Sequence, residues 1–172
     1  MPDSTNSNQA TSQQLDDGNA TGATVSSPLT ASSTLTVDGA TTLTGAVSLA
    51  SSITSTSATA GVGYATGAGA AVTQTTNRGN TVVSNTVCGT ITSSSASLAA
   101  GVSASFTLTN STIAATDIVL VSISGATNTE TTVHPSTTNA GSVVITMING
   151  HASIAEVAAS SIHWAVIKSV AA

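Results

Sequence analysis

The sequence predicts an all-β protein: a short intersubunit β-stalk followed by an antiparallel sandwich or jelly-roll-like domain. Three observations carry this expectation. Thr, Ser, Ala, Gly and Val dominate the 172 residues, while charged residues make up 5% and aromatics 2%. Thr and Val favour strands, and Ala, Gly and Ser suit turns and tight interfaces. Apolar and hydroxyl residues alternate with period two, and turn residues recur roughly every ten positions without a convincing amphipathic helix. Finally, Leu35, Val37, Leu43, Val47 and Leu49 form an apolar row in a stretch too short-stranded to bury it alone. An isolated hairpin of this kind is marginal in water. The row is therefore expected to pack against other copies of the chain, as the stalk interface of a homotrimer.

Residues 1–30 read as a polar docking arm, rich in Asn, Gln, Ser, Thr and Asp. Such a segment has too little apolar surface to repay its ordering by itself. Residues 31–60 are the stalk and a Ser/Thr/Ala linker. Thr34–Val37 alternates, Asp38-Gly39 breaks it, Thr42–Thr44 repeats the pattern, and Gly45-Ala46 breaks it again. Residues 61–172 are the C-terminal β-sandwich domain.

That domain opens on Gly61–Gln74, whose Gly63, Gly67 and Gly69 lack the spacing and the strand–turn–helix context of a phosphate-binding loop. They are expected to allow close backbone approach, with Tyr64 as an anchoring ring. Strands are expected at 81–84 and 86–92. Ser103–Thr109 alternates cleanly, with Ala104, Phe106 and Leu108 inward. Asp117–Ser124 and Ser142–Ile148 are apolar at both parities and read as central strands. Thr129–His134 reads as an exposed strand ended by Pro135, Asn149-Gly150 as a type I′ turn, and His151–Ala159 as a loop or a single helical turn. Ser161–Val170 closes the domain. The expected core is Phe106, Ile118, Leu120, Val143, Ile145 and Trp164.

Composition excludes several functions. The net charge is −5, with Arg78 and Lys168 the only basic side chains, so the clustered Lys and Arg of a nucleic-acid footprint are missing. The longest apolar runs are strand-sized, far short of the ~18 to 20 residues of a spanning helix, and no membrane association is expected. The N-terminus lacks the basic start and apolar stretch of a signal peptide. One cysteine, Cys88, precludes an internal disulfide framework. No nucleophile elbow is present, and Asp117, Glu130 and Glu156 stand apart in sequence. His134, His151 and His163 lack metal-ligand spacing, so a metal would need one histidine repeated around a trimer axis. Neither catalytic activity nor a cofactor is expected. Asn19-Ala20-Thr21 and Asn110-Ser111-Thr112 fit the glycosylation sequon.

The run Gly63-Tyr64-Ala65-Thr66-Gly67-Ala68-Gly69, then Val72-Thr73-Gln74, resembles a domain of tailed-phage and prophage structural proteins. The likeness continues through Val87–Thr92, Ser97–Gly101, Ser105–Ser111 and Ile113–Asp117, and ends at Ala165-Val166-Ile167-Lys168. The Thr-Leu-Thr…Gly-Ala repeats before it resemble the shaft segments of phage fibres. Thr127–Asn139 departs from the pattern. The resemblance implies a trimeric virion component without catalytic residues. The leading expectation is a capsid decoration or cement protein, or a short head fibre, on the outer surface of the phage head. Its partners would be its own copies and the major capsid protein, and it would stabilise the shell. The alternative is a tail-fibre or tail-spike subunit for host attachment. A secreted carbohydrate-binding module or hydrolase fits less well. A receptor-binding tip ordinarily uses more aromatic side chains than Phe106, Tyr64 and Trp164, which favours the head over the tail.

Overall fold

A computed structural model describes residues 41–50, 52–55, 57, 61–65 and 67–169. The chain divides into two units, one ending at Thr54 and the other beginning at Ser55. The expected docking arm, residues 1–30, and the expected stalk residues Leu35 and Val37 lie outside the described residues.

In the first unit, residues 41–50 and 52–54 form no strand, so the expected Thr42–Thr44 strand is not made within one chain. Leu43, Val47 and Leu49 are 65%, 56% and 51% exposed.

The second unit is an all-β sandwich. Its described strands are β1 (Gly69–Thr73), β2 (Val82–Val83), β3 (Cys88–Thr92), β4 (Ser103–Thr109), β5 (Ile118–Ser124), β6 (Thr131–Asn139), β7 (Ser142–Asn149) and β8 (Ser161–Ile167). One sheet has the order β1-β3-β8-β5, the other β2-β4-β7-β6. The first four strands alternate between the sheets. Strands that return to the same sheet after such a crossover run parallel, as β1 does with β3 and β2 with β4. The remaining pairs are antiparallel. Both sheets are thus mixed, which corrects the purely antiparallel expectation. Strands β6 and β7 form a tight hairpin through Ala140-Gly141, where Gly141 takes a φ of 80° that side chains disfavour.

The core lies between the sheets. Alternation in β4 and β7 turns Phe106, Leu108, Val143, Ile145 and Met147 inward. They face Ile91, Ile162, Trp164 and Val166 of the other sheet. Of the expected core residues, Phe106, Val143, Ile145 and Trp164 are buried, but Ile118 and Leu120 are 52% and 53% exposed. Strand β5 is an edge strand, contrary to the central position expected for it. Its inward parity is Val119, Val121 and Ile123, set opposite Val166, Trp164 and Ile162 of β8. A strand apolar at both parities does not announce which row faces in, and β8 decides it.

Three local expectations also change. Strand β6 does not stop at Pro135 but continues to Asn139, absorbing the proline with a register shift before Thr137. Proline is tolerated there because β6 is an edge strand. Asn149-Gly150 is not a hairpin turn. Asn149 is fully buried, and its side-chain amide donates to the carbonyls of Leu98, Ala99 and Ile154. Residues 150–160 contain no helix.

Candidate assembly surface

The two outer faces of the sandwich differ in chemistry. On β4, β6 and β7 the outward positions are largely hydroxyls. Thr146 bridges Ser105 at 2.8 Å and Ser136 across three strands. The outer face of the β1-β3-β8-β5 sheet is graded along the strands instead. Register sets Ile118 opposite Ile167, then Leu120, Ala165, Cys88 and Gly69 in one row. The next row is Ser122, His163, Thr90 and Ala71, and the last is Ser124, Ser161, Thr92 and Thr73. One end is thus apolar, with Ile118, Leu120 and Ile167 about half exposed, and the other is hydroxylic. His163 joins the polar rows, with Nδ1 3.1 Å from Thr90 Oγ1 and Nε2 3.2 Å from Ser124 Oγ.

The segment before β1 extends the apolar end. The Tyr64 hydroxyl donates to the Val166 carbonyl, which ties residues 62–64 to β8. Val62, Gly63 and Tyr64 line a hollow of about 370 Å³ with Ile167 and Lys168. A shallower one of about 330 Å³ lies over Leu120, Ser122, His163 and Ala165. Of the glycines expected to allow close approach, Gly69 does so, whereas Gly63 and Gly67 face open space and Gly67 instead takes a φ of 92°. Gly69 packs on Cys88, and a Cβ on Gly89 would sit 2.2 Å from the Ala70 carbonyl oxygen and 2.3 Å from the Trp164 ring.

Four ionisable groups of the domain, Arg78, Asp117, Glu156 and Lys168, tie loops and strand ends together. Glu156 is fully buried. Its carboxylate accepts from the Asn128 N–H at 2.9 Å, the Ala158 N–H at 2.8 Å and the Thr131 hydroxyl at 3.2 Å. Burial alone would raise its pKa, but the N–H groups of Asn128, Ala158 and Thr127 and the Thr127 hydroxyl outweigh it and hold the pKa at about 2. Arg78 is 3% exposed and donates to the carbonyls of Ala96, Glu156 and Ala158 and to the Ser93 hydroxyl. Burial pushes its guanidinium below the usual value, opposed by the charge of Glu156. Asp117 accepts from the Ala114 N–H at 2.7 Å and from Lys168 at 2.5 Å, and in that order these hold its carboxyl below the ordinary range. The pair fastens the end of β8 to the loop before β5.

Among the described residues no three of His, Cys, Asp and Glu lie close enough together to hold a metal ion. No described helix is long and apolar enough to cross a membrane. The sequon asparagine Asn110 is fully buried and bonded to the Thr86 carbonyl and to Thr112, so its amide is closed to modification in the folded chain. Of the residues expected to act in assembly, Leu43, Val47 and Leu49 are exposed in the first unit, while Leu35 and Val37 are outside the described residues. The pair that sequence assigned to the core, Ile118 and Leu120, instead forms the apolar part of this face. Their outward parity could have been found by matching β5 to β8, whose inward row Ile162, Trp164 and Val166 is legible. Comparison with protein-family models, with curated proteins and with solved structures finds no match.

Proposed function

We propose that the protein is a structural component of a tailed-phage virion, a homotrimeric decoration or cement protein, or short head fibre, on the outer surface of the head. The observation that carries an assembly role is the exposed apolar surface on a small chain. Leu43, Val47, Leu49 and Ile53 are exposed in the first unit, and Ile118, Leu120 and Ile167 in the second. Monomers rarely leave contiguous apolar rows in water, and such rows mark interaction sites. The order of the sequence blocks that resemble phage structural domains supplies the virion context. The major capsid protein is the proposed partner, and residues 1–30 the proposed docking arm. Three arms on one trimer raise the effective concentration of each, so weak contacts sum to firm attachment.

The tail-fibre reading is the alternative. The near absence of aromatic side chains favours the head, since receptor contacts concentrate their energy in such residues. The test is reconstitution. Heads lacking the protein should bind the purified full-length chain in sedimentation and rupture at a higher temperature once bound, because a ligand of the assembled shell stabilises it. A chain without residues 1–30 should stay folded and fail to co-sediment. Heads that neither bind the full chain nor gain heat resistance would refute the head assignment.

A further inference from the structure

We propose that the outer face of the β1-β3-β8-β5 sheet seats a second copy of the same chain, the two domains running parallel. This rests on the assembly reading above and names the surface and the partner. The apolar end is built by Ile118, Leu120, Ala165, Ile167, Cys88 and Tyr64.

Charge decides the occupant. The chain carries −5, yet none of the outward positions on these four strands is Asp, Glu, Lys or Arg. Arg78 and Glu156 are buried, and Lys168 at the rim is paired with Asp117. Two like-charged copies therefore meet here without repulsion, whereas a charged partner finds no countercharge. The grading of the rows decides the orientation. An antiparallel arrangement would lay Ile118 and Ile167 of one copy on Ser124 and Ser161 of the other, and Leu120 and Ala165 on Ser122 and His163, and strip water from unpaired hydroxyls. A parallel one sets apolar row on apolar row and His163 row on His163 row.

Area decides what else is needed. Strands about 4.8 Å apart, rising about 3.3 Å per residue, give a four-strand face on the order of 400 Å². A stable interface uses roughly 800 Å² per partner. The sheet alone falls short, so the contact must continue onto residues 62–64 of the same domain, which line the hollow beside Ile167. Parallel copies allow this, because equivalent segments then lie at the same end of the pair.

The experiment uses the full chain with Ile118→Asp and Leu120→Asp together, positions exposed enough for the fold to accept charge, and Leu120→Ser as a milder variant. Val83→Asp, 61% exposed on the other sheet, is the control. Sedimentation over a dilution series should show association weakened about tenfold or more in the double variant, less in Leu120→Ser, and unchanged in the control. Alkylation of Cys88, half-buried in the same row as Leu120, should slow with rising concentration in the wild type and not in the double variant. A double variant that keeps both the wild-type sedimentation and the Cys88 protection would overturn the proposal. So would a control that dissociates equally, or intact self-association with loss of head binding, which would give the face to another partner. Sedimentation and Cys88 alkylation are both read without particles. A chain that associates through this face yet never binds heads would refute the head reading and leave this one standing.

Discussion

Replacing Gly89 by Ala tests the packing that holds β1, β3 and β8 together. The substitution adds a single methyl group, but its position is occupied. A Cβ there would stand 2.2 Å from the Ala70 carbonyl oxygen, 2.3 Å from Trp164 Cη2 and 2.6 Å from Cζ2. Carbon atoms in contact sit at about 3.5 to 4.0 Å, so both neighbours must retreat by more than an ångström. The oxygen belongs to the parallel ladder that sets Ala70 beside Gly89, and the ring is packed in the core. Overpacking of this kind costs typically 1 to 3 kcal/mol. With backbone on one side and a rigid ring on the other, the upper end applies, about 3 kcal/mol. For a domain near 100 residues that lowers the melting temperature by roughly 10 to 20 °C. Urea unfolding followed by far-ultraviolet circular dichroism, at one fixed chain concentration, measures it. In a Trp164→Ala background the ring is gone but the Ala70 oxygen remains, so the cost of the added methyl should fall without vanishing. A Gly89→Ala protein within about 0.5 kcal/mol of wild type, the range of an innocuous surface change, would refute this packing. Strict additivity with Trp164→Ala would show that the ring is not the obstacle.

Trp164→Ala alone should cost about 3 to 5 kcal/mol, as for other buried aromatics, and a near-wild-type melting temperature would contradict its place in the core. Acid should weaken the domain through Glu156. Its folded pKa of about 2 lies below the unfolded 4.5, so its contribution is complete above pH 4.5 and is lost as pH falls toward 2. That loss is on the order of 2 to 3 kcal/mol. Glu156→Gln should be less stable at neutral pH and show a shallower decline in urea midpoint over this window. Leu43→Asp with Leu49→Asp should give monomers in sedimentation while the sandwich keeps its circular dichroism spectrum, and retention of the native oligomer would remove the stalk from the interface.

Much of the sandwich was legible because its strands carry one-sided patterns. Ser103–Thr109 alternates hydroxyl and apolar residues, and β4 occupies that span with Phe106 and Leu108 inward. The two-sided strands were read correctly as strands and unevenly as to place. Strand β7 is central between β4 and β6, but β5 is an edge whose second apolar row faces solvent. Nothing local separates these cases, because the row facing out of a sheet is used by whatever lies beyond it. Strand β1 was hidden in a glycine-rich run. Its one glycine, Gly69, lies against Cys88 of β3, a contact that only the crossover topology creates. The buried charges were invisible for a different reason. Arg78 and Glu156 are 78 residues apart in sequence, and each looks like an ordinary surface charge until the fold surrounds it with donors and carbonyls. Asn149-Gly150 misled because the buried amide of Asn149 is used to bind loops.

The central proposal is assembly on the outer surface of a phage head, and a density map of particles carrying the protein tests it most directly. The account predicts threefold density on the outer surface of the head, with sandwich domains side by side and their β1-β3-β8-β5 faces turned toward one another. Density for the chain only at the tail, or sandwich domains that touch neither each other nor the shell, would contradict it.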